Sequence, residues 1–111
     1  MRIFITGIAG FLGSHLAERL LTMGHDIVGC DSLLGGELIN VPPEAEFYQY
    51  DCRDFNAMAK VMRDCELVFH SAATAYEGLS VFSWAMVMDN IVSGSNTPSQ
   101  CLIISLGRGR I

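Results

Sequence analysis

Residues 2–23, RIFITGIAGFLGSHLAERLLTM, decide the fold. Arg2 to Thr6 is rich in β-branched and aromatic residues, the composition of a buried strand, and it runs directly into Gly7. From Phe11 to Met23, the residues Leu12, Leu16, Leu20 and Met23 recur at helical spacing, with Glu18, Arg19 and Thr22 elsewhere. Gly24 then ends the helix as a glycine beyond a C-terminus does. Between strand and helix lies G-x-x-G-x-x-G, formed by Gly7, Gly10 and Gly13. The first glycine permits a tight turn, the second lets the backbone approach a pyrophosphate, and the third lets helix and strand pack closely. Helix N–H groups, with the positive end of the helix dipole behind them, then face an anion. Three glycines alone also fit a plain strand-to-helix turn.

Working outward, Asp26 to Cys30 reads as a second buried strand that delivers Asp31 at its end. An acidic residue about 20 positions beyond such a turn can accept from the ribose hydroxyls of adenosine and would repel a 2′-phosphate, which points to NAD rather than NADP. A solvated loop acid is the alternative. Ser32 to Pro43 is a loop marked by Gly35, Gly36, Pro42 and Pro43, and Glu46 to Tyr50 is a third strand. Asp54 is placed to cap a helix over Phe55 to Arg63. Glu66 to His70 forms a fourth strand, followed by the small residues Ser71, Ala72 and Ala73.

Val81 to Ser93 has the apolar content of another helix, with Asn90 near its end. Thr97-Pro98-Ser99 breaks it, Cys101 to Ser105 supplies a fifth short strand, and Leu106 to Ile111 matches no regular element. The alternation predicts an α/β fold of the Rossmann type: a parallel sheet ordered 3-2-1-4, with helices on both faces and a ligand crossing the carboxyl ends between strands 1 and 4. Residues 1–95 form the nucleotide-binding unit and 96–111 an atypical tail.

Composition narrows the function. With 111 residues there is room for one domain, and 50% hydrophobic against 17% charged residues describes a chain that buries a core. A net charge of −5 with seven scattered basic residues offers no stripe for a nucleic-acid backbone. The four cysteines, Cys30, Cys52, Cys65 and Cys101, form neither a C-x-x-C pair nor a cluster with histidine at zinc spacing, so we expect no metal and free thiols. Glycines and the charged residues Glu18 and Arg19 interrupt the apolar start, so neither a membrane span nor a signal peptide is expected, and the chain reads as cytoplasmic.

TGIAGFLGSHLAERLL, Asp31, DCRD at 51–54, HSAA at 70–73 and NIVSG at 90–94 together resemble an extended short-chain dehydrogenase/reductase of the NAD-dependent epimerase/dehydratase family, over residues 1–95. The resemblance implies that Phe11 and Leu12 lie beside the pyrophosphate and Ser32 just past the ribose. It implies that Asp51 approaches the adenine by its side chain and Cys52 by its backbone. It further implies that Ser71 to Ala75 line the nicotinamide half and that Asn90 fixes the helix beneath it. Asp51 is open to a second reading as a turn acid, and Asn90 as a helix-terminating residue.

Members of that family act on nucleotide sugars, are commonly dimers, and use a Tyr-x-x-x-Lys pair for proton transfer. Lys60 is the one lysine here, Asn56 stands four before it, and none of Tyr48, Tyr50 and Tyr76 has lysine four residues on. We therefore assign no catalytic residue. Three readings follow: the cofactor-binding part of a nucleotide-sugar epimerase or dehydratase, truncated relative to the family and inactive alone; a stand-alone NAD-binding or redox-sensing module; or a non-functional remnant.

Overall fold

The computed structural model describes residues 1–72. β1 (Arg2–Thr6) leads through the glycine turn into α1 (Phe11–Thr22), followed by β2 (Asp26–Cys30), a 3₁₀ turn at Leu38–Asn40, β3 (Glu46–Tyr48), α2 (Phe55–Val61) and β4 (Leu67–His70). The sheet order is β3-β2-β1-β4, every pairing is parallel, and the register runs from Arg2 opposite Asp26 to Thr6 opposite Cys30. The order expected from the sequence is the order observed. The expected helix over 81–93, the strand over 101–105, the tail boundary, Ala73 and Asn90 lie outside the described residues.

The period-2 alternation of the strands distributes the core between two faces. Ile3, Ile5 and Ile27 point to the α1 side, where they meet Ile8, Ala17 and Leu20. Phe4, Val28 and Cys30 point the other way and pack with Met58, Val61, Met62 and Cys65 of α2 and its exit. α1 has 12 residues and α2 only 7, and helices this short are marginal in isolation. Each buried Ile, Val, Met or Phe contributes about 1.5–3 kcal/mol, so packing on the sheet rather than helix propensity holds them.

Local chemistry sets the ends. The Asp54 carboxylate accepts from the Ala57 N–H at 3.2 Å, the cap expected for α2. Gly24 sits at φ +88°, and its N–H and that of His25 return to the carbonyls of Leu21 and Leu20, closing α1 at Thr22. β3 stops at Tyr48, two residues short of expectation, because the Tyr50 N–H turns back to the Tyr48 carbonyl at 3.0 Å. α2 ends at Val61 rather than Arg63, before a turn that puts Asp64 at φ +67°. At the opposite edge of the sheet from the glycine turn, Arg2 bridges Asp26 at 2.7 Å and Glu46 at 2.8 Å, tying the starts of β1, β2 and β3 together.

Two glycines give a direct test of what the turn requires. A Cβ on Gly13 would overlap the carbonyl oxygen of Gly7, whereas one on Gly24 would meet nothing within 4 Å. Gly13→Ala is expected to destabilise by about 2–3 kcal/mol through enforced separation of α1 from β1. Gly24→Ala, where only the positive φ is strained, should lose about 1 kcal/mol. Urea denaturation of both variants checks the ranking, and equal losses would contradict this account.

Candidate nucleotide-binding site

The site is built where β1 becomes α1. Gly7 turns the chain at φ +71°, and the N–H groups of Gly7 and Ile8 both donate to the Cys30 carbonyl, at 2.8 and 3.3 Å. The Gly10 N–H closes the turn on the Gly7 carbonyl at 3.1 Å. Gly10 then occupies the N-cap of α1 without a side chain to offer. The N–H groups of Phe11, Leu12 and Gly13 consequently find no partner among the described residues. They lie together at the positive end of α1, on a cleft that Phe11 and Leu12 border while remaining 82% and 66% exposed.

Gly10 differs from its two neighbours in the motif. Its φ of −84° is open to any residue, and an added Cβ would meet nothing nearer than the Gly7 carbonyl oxygen at 3.4 Å. The chain needs glycine at Gly7 and Gly13. At Gly10 the fold leaves room, and that room belongs to the cleft.

The segment after β2 is fastened to the turn through one residue. Ala9 donates its N–H to Asp31 Oδ2 at 2.9 Å, while its carbonyl accepts from the Glu37 N–H and Asn40 Nδ2, both at 3.1 Å. Gly36 packs its backbone against Ala9 so closely that a Cβ there would lie 2.8 Å from the Ala9 carbonyl carbon. Asp31 Oδ1 accepts from the Leu33 N–H at 2.8 Å. A carboxylate has about four lone-pair sites, so two remain.

Beyond β3, Asp51 accepts three bonds from Arg53, from its backbone N–H and from two guanidinium nitrogens at 2.6–2.9 Å. This is the geometry of a turn acid, and the Arg53 guanidinium holds the Asp51 carboxyl below its ordinary value. Burial pushes the Cys30 and Cys52 thiols up, so both remain neutral, weakly polar walls. Beyond β4, Thr6 organises the exit: its Oγ1 lies 2.6 Å from His70 Nδ1 and accepts from the Ala72 N–H at 3.2 Å. Burial also holds the His70 imidazole below its ordinary pKa.

These parts surround one cleft of about 430 Å³ at the carboxyl ends of the strands. Of the residues singled out in the sequence, Gly7, Gly10, Phe11, Leu12 and Gly13 line it from the turn, and Asp31 and Ser32 from the end of β2. Asp51 and Cys52 line it from beyond β3, and Ser71 and Ala72 from beyond β4. Sequence reading missed Cys30, Leu34, Gly35, Gly36 and Tyr50, which line it as well. The paired glycines were visible as a loop signal. Tyr50 was hidden by its assignment to a strand.

Known proteins arrange themselves around the same features. The model of the NAD dependent epimerase/dehydratase family matches residues 3–97. A putative UDP-glucose 4-epimerase of Methanocaldococcus jannaschii is 40% identical over 72 residues, which are 64% of this chain and 24% of that protein. The UDP-glucose 4-epimerase of Lactobacillus helveticus is 35% identical over 85% of this chain and 29% of its own length. Among solved structures, UDP-glucose 4-epimerase from Thermotoga maritima, crystallised with UDP-glucose, superposes with a TM-score of 0.91 at 32% identity, covering 95% of this chain and 35% of that one. The Thermus thermophilus enzyme in complex with NAD gives 0.84 at 32% identity, over 91% and 33% of the two chains. This chain thus spans about a third or less of the relatives it matches. A family model that runs through the glycine turn, Asp31 and the β4 exit, together with a superposable sheet, makes this chain a member of the NAD dependent epimerase/dehydratase family.

Proposed function

We propose that the cleft binds NAD, and that the chain is the cofactor-binding part of an enzyme that rearranges a nucleotide sugar. The observation that carries this is Gly10, a position where the fold itself accepts a side chain and a close-packed phosphate would not. Next to it stand the N–H groups of Phe11, Leu12 and Gly13, without a partner among the described residues and a donor set suited to pyrophosphate oxygens. Asp31 has lone pairs left for the ribose hydroxyls after holding Ala9 and Leu33. Its negative charge disfavours a 2′-phosphate, which selects NAD over NADP.

In this reading the adenosine lies towards Asp31, Asp51 and Cys52, and the nicotinamide end towards Ser71, Ala72 and Ala73, with Asn90 supporting it. NAD when bound supplies a hydride acceptor. The residues here position that cofactor and exclude water from its pyrophosphate. Proton transfer is assigned to none of them, since the sequence holds no Tyr-x-x-x-Lys pair. The relatives point to a UDP-sugar as the substrate of the whole enzyme.

Three outcomes are expected. NAD at a hundred times its Kd should stabilise the chain by about 2.7 kcal/mol, read as a raised Tm. Gly10→Val should stay folded, with a loss of about 1 kcal/mol from the poorer N-cap residue, and yet lose on the order of tenfold in NAD affinity by calorimetry; unchanged affinity in that folded variant would sink the proposal. Asp31→Asn should weaken NAD and narrow the NAD-to-NADP preference by roughly tenfold, about 1.4 kcal/mol. It should also lower stability, because the amide cannot accept as the carboxylate does from both Ala9 and Leu33.

A further inference from the structure

The end of β3 carries an aromatic feature that the glycine turn and Asp31 do not explain. Tyr48 and Tyr50 stack with ring centroids 5.9 Å apart and an interplanar angle of 6°. Tyr48 is the fixed member, half-buried against the core cluster that includes Met58 and Val61 of α2. Tyr50 is brought onto it by the turn in which the Tyr50 N–H returns to the Tyr48 carbonyl. Tyr50 is 37% exposed, and it borders the cleft together with Leu34, which is 56% exposed. Two large apolar side chains thus stand open on the wall of one cleft.

Sheet topology says which part of a ligand they would meet. The N–H groups at the start of α1 follow β1, Asp31 follows β2, and Tyr50 follows β3, three neighbouring strands about 4.8 Å apart. The Asp31 N–H donating to the Tyr48 carbonyl at 3.3 Å fixes how closely the last two positions adjoin. Phosphate, ribose and base are joined in that same order in a nucleotide. A ligand with phosphates on the β1 turn and its ribose at Asp31 presents its base to the end of β3.

We propose that Tyr50 is a base-reading residue, its ring prepositioned by Tyr48 to stack on the adenine, with Leu34 closing the cleft from the loop after β2. The inference rests on the NAD reading above and adds a specificity element to it. Stacking scales with the area of the base, so the ring favours a purine over a pyrimidine. An aromatic wall also accepts a pyrimidine, so it biases the site towards the larger adenine rather than excluding uracil.

Calorimetric titration of NAD, AMP, UMP and nicotinamide mononucleotide into the chain and its Tyr50 variants tests this. Tyr50→Leu is expected to weaken NAD and AMP on the order of tenfold, to leave nicotinamide mononucleotide within about twofold, and to shrink the AMP-over-UMP preference. Tyr50→Phe and Tyr50→Trp, which keep the ring, should bind AMP within about twofold of the original chain. AMP affinity and the AMP-to-UMP ratio unchanged in Tyr50→Leu, with NAD still bound, would overturn the role of Tyr50 alone. A uniform loss across all four ligands would mean a merely structural effect and would overturn it too. No NAD binding by the original chain would remove the reading on which the inference stands.

Discussion

The approach of the Gly13 Cα to the Gly7 carbonyl is the contact on which the rest of the molecule depends. Nothing larger than hydrogen fits between them, so α1 begins directly above the end of β1 rather than to one side. That placement aims the first turn of α1 at the carboxyl edge of the sheet. It also brings Ala17 and Leu20 down onto Ile3, Ile5 and Ile27, so one constraint serves the site and the core together. The opposite face has its own helix and its own cluster, and it carries Cys52 from the core to the cleft wall.

Ala9 turns this rigid start into a cleft. Its peptide groups are the meeting point of Asp31, Glu37, Asn40 and Gly36, so the first part of the loop after β2 is bound to the glycine turn mainly by hydrogen bonds, while Val41 at its far end packs on the core. Leu34 and Ile39 of that loop are correspondingly exposed. Each neutral hydrogen bond contributes about 0.5–1.5 kcal/mol, well below what a buried isoleucine supplies. The stretch around Leu34 is therefore the weaker wall, held mainly by polar contacts against the tightly packed β1–α1 unit.

Much of this was legible before any coordinates. β1 and β2 were found to the residue because unbroken apolar runs end at glycine and aspartate, where side-chain chemistry changes abruptly. The cap at Asp54 and the stop at Gly24 were legible for the same local reason. What escaped was set by partners distant in sequence. Asn40 reads as an unremarkable loop polar residue, and only the fold brings its amide to Ala9. Tyr50 closes an aromatic-rich stretch with Phe47 and Tyr48, and no local pattern reveals that its N–H folds back to end the strand. Asp51 was readable as a ligand residue or a turn acid. Its bonds to Arg53 satisfy the second reading while leaving it on the cleft wall.

Asp31 shows why structure and recognition are hard to separate here. A carboxylate that only positioned the Ala9 and Leu33 N–H groups could be replaced by other acceptors, and one that only met a ribose could stand on any flexible arm. Under the proposed NAD binding Asp31 holds both tasks, and its orientation is a by-product of folding: the bonds that order the loop fix the direction of the remaining lone pairs. A ligand then encounters acceptors already in place, with little side-chain freedom left to lose on binding. Tyr50, stacked on Tyr48, would follow the same logic in the proposed base contact, with an apolar surface in place of a charge. Under the proposed NAD binding, the described walls of the cleft would contribute affinity through contacts that folding has already ordered.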